Sequence, residues 1–128
     1  MSTRRREPPT ATIVDLGRLH QLASAFRRAI EQADREKLSI AFREFPHGSC
    51  GETALLLGTF LKSRDMGTFQ YVCGWCYGQS HAWLEKDGLI IDITADSFSG
   101  VSKPVIVTYN SVLSYFQALC PNLQGALS

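Results

Sequence analysis

No apolar run in this chain approaches the roughly 20 consecutive residues that a membrane-spanning helix needs. The first dozen residues lack the hydrophobic core of a secretory signal. Membrane insertion and signal-led secretion are therefore not expected. The expected address is the cytoplasm, with export by a machine that uses no cleaved signal left open. Net charge is nearly absent as well, at +1, so composition offers no basic surface for nucleic acid or an anionic membrane. Internal repeats and low-complexity tracts are also missing, which excludes solenoids and arrays.

The chain does have enough apolar residues for a core. With 128 residues, 45% of them hydrophobic and 20% charged, it can bury one core without disulfide or metal staples. Residues 1–12 read as a flexible leader, because Arg4-Arg5-Arg6 is followed by Pro8-Pro9. Residues 13–128 read as one domain. Four cysteines are present, Cys50, Cys73, Cys76 and Cys120. Without a secretory signal they are expected as free thiols serving catalysis or metal rather than as disulfides.

Helical periodicity begins at Asp15, a candidate N-cap, where Leu16, Leu19, Ala23, Phe26, Ile30 and Ala33 recur at three- and four-residue steps. His20 at the edge of this stripe reads as an ordinary helix residue. Leu38–Phe45 reads as a short strand or an extended connector before Pro46. A second helix is expected from Cys50 to about Lys62, with Cys50, Ala54, Leu57 and Leu61 on one face and Leu56 and Phe60 alongside. Being apolar over most of its girth, it should be central.

The second half is β-prone. Residues 68–77, Ser80–Lys86, Leu89–Thr94 and Pro104–Tyr109 read as strands, with Gly78 turning the chain after the first. Asp87-Gly88 is a strong two-residue hairpin turn. A short helix capped by Asn110 or Ser111 should then bury Val112, Leu113, Tyr115, Phe116 and Leu119 and stop near Pro121. None of the candidate functional residues falls on that last helix.

Chemistry enters at Pro46-His47-Gly48-Ser49-Cys50-Gly51-Glu52-Thr53. A glycine-flanked loop that opens into an apolar helix puts the Cys50 thiol at a helix start, where unpaired N–H groups favour the thiolate. A nucleophilic thiol needs a base, and the base needs a group to orient it. The hairpin can supply both. If Asp87-Gly88 is the turn, Lys86 pairs with Leu89, Trp83 lies opposite Asp92 and His81 opposite Thr94. Side chains alternate between faces, so His81, Trp83, Asp92 and Thr94 share one face. His81 is then diagonal to Asp92 at roughly 7–8 Å between backbones, which the two side chains can bridge. A three-residue turn would have put Asp92 on the other face, with Asp96 the next acid in line. The roles that follow are Cys50 as nucleophile, His81 as base and then acid, and Asp92 as the orienting carboxylate. The backbone N–H groups at Cys50 and Gly51 would face the oxyanion.

Glycine-flanked Cys50 opening a helix, then His81-Ala82-Trp83-Leu84-Glu85, then Ile91-Asp92-Ile93-Thr94, resembles the catalytic core of the transglutaminase-like branch of the papain-like cysteine enzymes. The resemblance covers about residues 45–98. It implies an α+β fold with a central cysteine-bearing helix packed on a small antiparallel sheet, and chemistry through a thioester acyl-enzyme. It also implies a peptide, protein or small-amide substrate, and no cofactor. Hydrolysis is favoured over transamidation, because a small domain shelters its acyl intermediate little from water. No residue matches the side chain that often completes the family's oxyanion hole. Gln70, Gln79 and His47 are candidates by polarity, and Trp83 is a candidate substrate contact that reads more readily as core.

The rival reading is a zinc-stabilised binding module. His47-x-x-Cys50 and Cys73-x-x-Cys76 have the ligand types and spacing of a closed tetrahedral site. A regular strand would point Cys73 and Cys76 to opposite faces, so Gly74 would have to form a knuckle. A redox role for Cys73-Gly74-Trp75-Cys76 is weaker, since such motifs work at helix starts. A family-like fold that binds without catalysing is the third reading.

Overall fold

The computed structural model describes residues 15–121, so the leader expected at 1–12 and the last few residues lie outside the described residues. The fold is α+β. Its elements in chain order are α1 (Leu16–Gln32), α2 (Cys50–Ser63), β1 (Gln70–Cys76), β2 (Gln79–Lys86), β3 (Leu89–Asp92), β4 (Ile106–Tyr109) and α3 (Val112–Leu119). The strands form one antiparallel sheet in the order β1-β2-β3-β4. No helix among the described residues is long and apolar enough to cross a membrane.

Helix α1 starts where the Asp15 carboxylate accepts from the Arg18 N–H at 3.0 Å, satisfying one of the donors a helix start leaves free. Leu19, Ala23 and Ile30 are buried as the stripe requires, and His20 is exposed. The stripe also buries Arg27, four residues after Ala23 and three before Ile30, a position its charge alone would assign to solvent. Its guanidinium donates to both Asp96 oxygens at 2.7 and 2.9 Å, to Glu31 at 2.8 Å, and to the Ile93 and Pro104 carbonyls at 2.9 Å each. A buried guanidinium tolerates desolvation when its donors are used in this way. Arg27 thus ties α1 to the segment after β3, and Asp96 is committed to that tie rather than to the histidine.

The stretch expected as a strand or connector is instead two short 3-10 turns, Arg35–Lys37 and Ile40–Phe42. The Asp34 and Ser39 side chains accept from backbone N–H groups two residues on, at 3.0 and 3.3 Å, and such local bonds compete with extended pairing. Phe42 and Phe45 then bury against Ile30 as a satellite core.

The hairpin closes as the turn chemistry dictates. Asp87 and Gly88 both hold positive φ, 49° and 86°, the requirement of a two-residue type I′ connection. Lys86 pairs with Leu89, Glu85 with Ile90 and Leu84 with Ile91. Alternation then sorts the sheet into two faces. Ala82, Leu84, Leu89, Ile91 and Ile93 pack with Leu57 and Leu61 of α2 and Leu19 of α1. Trp83 and Ile90 pack with Tyr115, Phe116 and Leu119 of α3.

Helix α2 is less enclosed than its apolar girth suggests. Thr53, Ala54, Leu57 and Leu61 are buried, but Leu55 and Leu56 are 59% and 50% exposed, because the sheet covers only one side. Helix α3, capped by Ser111 accepting from Ser114 N–H at 3.1 Å, buries Tyr115, Phe116 and Leu119 but leaves Val112 and Leu113 exposed. It lies so close to β1 that a Cβ at Gly74 would sit 2.7 Å from the Phe116 ring. Cys76, on the same face, is joined to Cys120 at the end of α3. The expectation of four free thiols is corrected here: α3 folds back over the sheet and brings together two cysteines 44 residues apart.

Candidate active site

Cys50 is the first residue of α2. Ser49, at the N-cap, does not spend its hydroxyl on the helix and donates it to the Pro46 carbonyl at 3.3 Å. The first-turn N–H groups are thus not capped by that side chain. The half-buried thiol of Cys50 donates to the Ser80 carbonyl at 3.6 Å. Burial alone would raise its pKa, but His81 and the N–H groups of Ala82 and Gly51 outweigh burial and hold it below the ordinary value.

His81 is completely buried, with Nε2 2.7 Å from Asp92 Oδ2. Burial disfavours its charge. The Asp92 hydrogen bond and the nearby Cys50 thiol reverse that effect and push the imidazole up to about 9. Nδ1 is buried and makes no hydrogen bond of its own. With Nε2 held by Asp92, Nδ1 is the ring nitrogen left to exchange a proton with the thiol, which is near enough that each group shifts the other's titration. The ring is held edge-on to Phe98 at 5.0 Å and beside Trp83 at 5.7 Å between centroids.

Asp92 is buried and hydrogen-bonded on both oxygens. Oδ1 accepts from the Thr94 N–H at 3.0 Å and Oγ1 at 3.5 Å. Oδ2 accepts from His81 and from the Tyr115 hydroxyl, each at 2.7 Å. The work is divided among the elements, since α2 presents the thiol, β2 the imidazole, β3 the carboxylate and α3 a second donor to that carboxylate.

Cys50, His81 and Asp92 are brought together, with Gly51 beside them. A side chain at Gly51 would meet the Tyr71 hydroxyl at 3.1 Å, so glycine leaves room for that hydroxyl at the helix start. Burial and the thiols of Cys73 and Cys50 raise the Tyr71 pKa, which keeps the hydroxyl a donor. The other oxyanion candidates fare differently. Gln70 pairs with Glu85 at the far end of the sheet, next to the hairpin turn, so its strand position removes it from the site. Gln79 and His47 are exposed, and neither takes part in the Cys50–Ser80 or His81–Asp92 hydrogen bonds. Trp83 is 1% exposed, which excludes it as a substrate contact and makes it the floor under the imidazole.

The four candidate zinc ligands His47, Cys50, Cys73 and Cys76 do not assemble. Cys76 is bonded to Cys120, Cys73 is an exposed free thiol, and Gly74 lies within regular strand rather than in a knuckle. Among the described residues no group of three or more His, Cys, Asp or Glu is placed to hold a metal ion.

Sequence reasoning missed Tyr71 and Tyr115. Tyr71 had a signal, since it shares the β1 face with Cys73, opposite Ala82 and Leu84, the face on which α2 packs. Tyr115 had none, because its partner is set by how α3 crosses the sheet. The chain matches no protein-family model, no curated protein and no solved structure.

Proposed function

We propose that the protein is a cysteine-dependent acyl-transfer enzyme with a papain-like, transglutaminase-like core, acting on an amide bond and releasing the acyl group to water. The observation that carries this reading is the chain of contacts from a helix-start thiol to a buried imidazole whose Nδ1 is unpartnered and whose Nε2 is held by Asp92 at 2.7 Å.

The chemistry follows from that order. His81 takes the Cys50 proton, and the thiolate attacks the amide carbonyl. The developing oxyanion would take hydrogen bonds from the helix-start N–H groups and from the Tyr71 hydroxyl, which lies beside Gly51. The C–N bond breaks, and the amine leaves with the proton that His81 held. Water then gives a proton to His81 and attacks the thioester, releasing the acid and restoring the thiol. Asp92 holds the imidazole and balances its positive charge in both halves. No step calls for a cofactor. Hydrolysis is favoured because the thiol is only half-buried, in contact with exposed Ser80, where water reaches the acyl-enzyme. Peptides, proteins and small amides all fit this chemistry. The Cys76–Cys120 bond suits an oxidising environment, so signal-independent export accords with it better than the cytoplasm does.

The test is iodoacetamide labelling of Cys50 across pH, followed by mass spectrometry, with the exposed thiol of Cys73 as internal reference. Rapid labelling should persist well below the free-thiol pKa of roughly 8.5 and should be lost in His81→Ala. Slow labelling that the histidine substitution leaves unchanged would overturn the proposal.

A further inference from the structure

We infer that Tyr115 is a positioning residue that sets the proton affinity of His81 through its hydrogen bond to Asp92. The inference rests on the acyl-transfer reading above and deepens it. Its geometric basis is a single oxygen, Asp92 Oδ2, with His81 Nε2 and the Tyr115 hydroxyl both 2.7 Å away. Two short donors on one carboxylate oxygen divide its negative charge between them. What the phenol withdraws is not available to the imidazole.

The phenol is built to stay a donor. It is buried, and burial together with the neighbouring carboxylate raises its pKa, so it keeps its proton throughout the working range. Its ring is fixed edge-on to Trp83 at 5.3 Å. Helix α3 is fixed in turn by Phe116 seated against Gly74 and by Cys120 bonded to Cys76. A phenyl ring would fill the same volume and lose only the hydroxyl's bond to Asp92. The groups that bear on His81 come from each neighbouring element: Cys50 from α2, Asp92 from β3 and Tyr115 from α3, with Gly74 opposite it on β1. Arg27, the buried cation bonded to the Ile93 carbonyl, is balanced by Asp96 and Glu31.

The two halves of the reaction ask opposite things of the histidine. Attack by Cys50 is helped by a strongly basic imidazole that stabilises the thiolate. Hydrolysis of the thioester needs a neutral imidazole to take a proton from water, so an imidazole that is too basic stalls the second half. Tyr115 moderates the pull of Asp92 and keeps His81 usable in both.

The probe is p-nitrophenyl acetate. The thiolate attacks its acetyl carbonyl and p-nitrophenolate leaves, forming acetyl-Cys50. Water, deprotonated by His81, then releases acetate. The first step is read as a burst and the second as steady turnover. In Tyr115→Phe the burst should remain, its rate within about threefold, while the rising limb of turnover against pH moves up by about one unit. Turnover near neutral pH then falls about tenfold. A ring-fluorinated tyrosine at 115, a stronger donor of nearly the same size, should move the limb the other way. It also carries the test if the phenylalanine variant does not fold. The His81 imidazole, titrated by NMR in each protein, should shift in the same directions. An unchanged limb, or equal loss of both phases without a shift, would overturn the role of Tyr115. Absence of a burst in the unmodified protein would count against the acyl-transfer reading, and the NMR titration would still decide whether Tyr115 controls His81.

Discussion

The two faces of the sheet are built from different materials. Towards α2 and α1 the buried side chains are aliphatic: Leu19, Leu57, Leu61, Leu84, Leu89, Ile91 and Ile93. Towards α3 they are aromatic and polar, with Trp83, Phe98, Tyr115 and Phe116 around His81 and Asp92 and a disulfide at the margin. The aliphatic face supplies non-directional burial, which stabilises without fixing any one rotamer. The aromatic face supplies flat rings and directed hydrogen bonds, which hold an imidazole in one orientation. The Cys50 thiol comes from the first face, and His81 with the groups bonded to or packed on it comes from the second. Stability and chemistry should therefore respond to different substitutions.

The largest stability effect should come from the aliphatic face. Leu57→Ala, at a fully buried position of α2, should cost about 2–5 kcal/mol in denaturant melts. The pH profile of Cys50 alkylation in the folded protein should stay unchanged. A shifted profile would show that the two faces are coupled and would break the distinction.

Gly74→Ala should cost less, about 1–3 kcal/mol, because a new methyl meets the Phe116 ring and α3 must give way. The same small change should move the His81 titration, since α3 carries Tyr115. Loss of stability with no change at His81 would mean that the second face, too, is only packing.

A further effect is one of pH. The folded-state pKa of His81 is raised from the ordinary 6.5 to about 9. Its contribution to stability is therefore full below about 6.5 and is lost as pH rises through about 9. Denaturant melts across that window should show falling stability, with most of the slope removed in Asp92→Asn. A slope that survives this substitution would place its origin outside the aromatic face.

Much of this arrangement was legible in the sequence because short-range rules fix it. Asp87-Gly88 admits one hairpin geometry, and from that turn the alternation of side chains places His81 and Asp92 on one face. Asp15 and Ser111 mark helix starts by the bonds their side chains make. What was missed or misread involves partners distant in the chain. Arg27, on which no expectation was placed, is buried because the Ile93 and Pro104 carbonyls and Asp96 supply acceptors from far along the chain. Helix α2 is apolar over most of its girth, yet only one side of it meets the sheet, which leaves Leu55 and Leu56 exposed. Ile40 to Phe42 looked extended because β-branched and aromatic residues favour strands, yet the Ser39 side chain closes a tight turn there.

The sequence by itself determined where the thiol, imidazole and carboxylate stand along their elements, because turn chemistry, capping and a period of two act over a few residues. Only the tertiary structure decided what surrounds them: the Cys76–Cys120 bond, Tyr71 at the helix start and Tyr115 on Asp92. Those contacts depend on the way α2 and α3 cross the sheet. That crossing is set by the packing of both faces together, which no local pattern encodes.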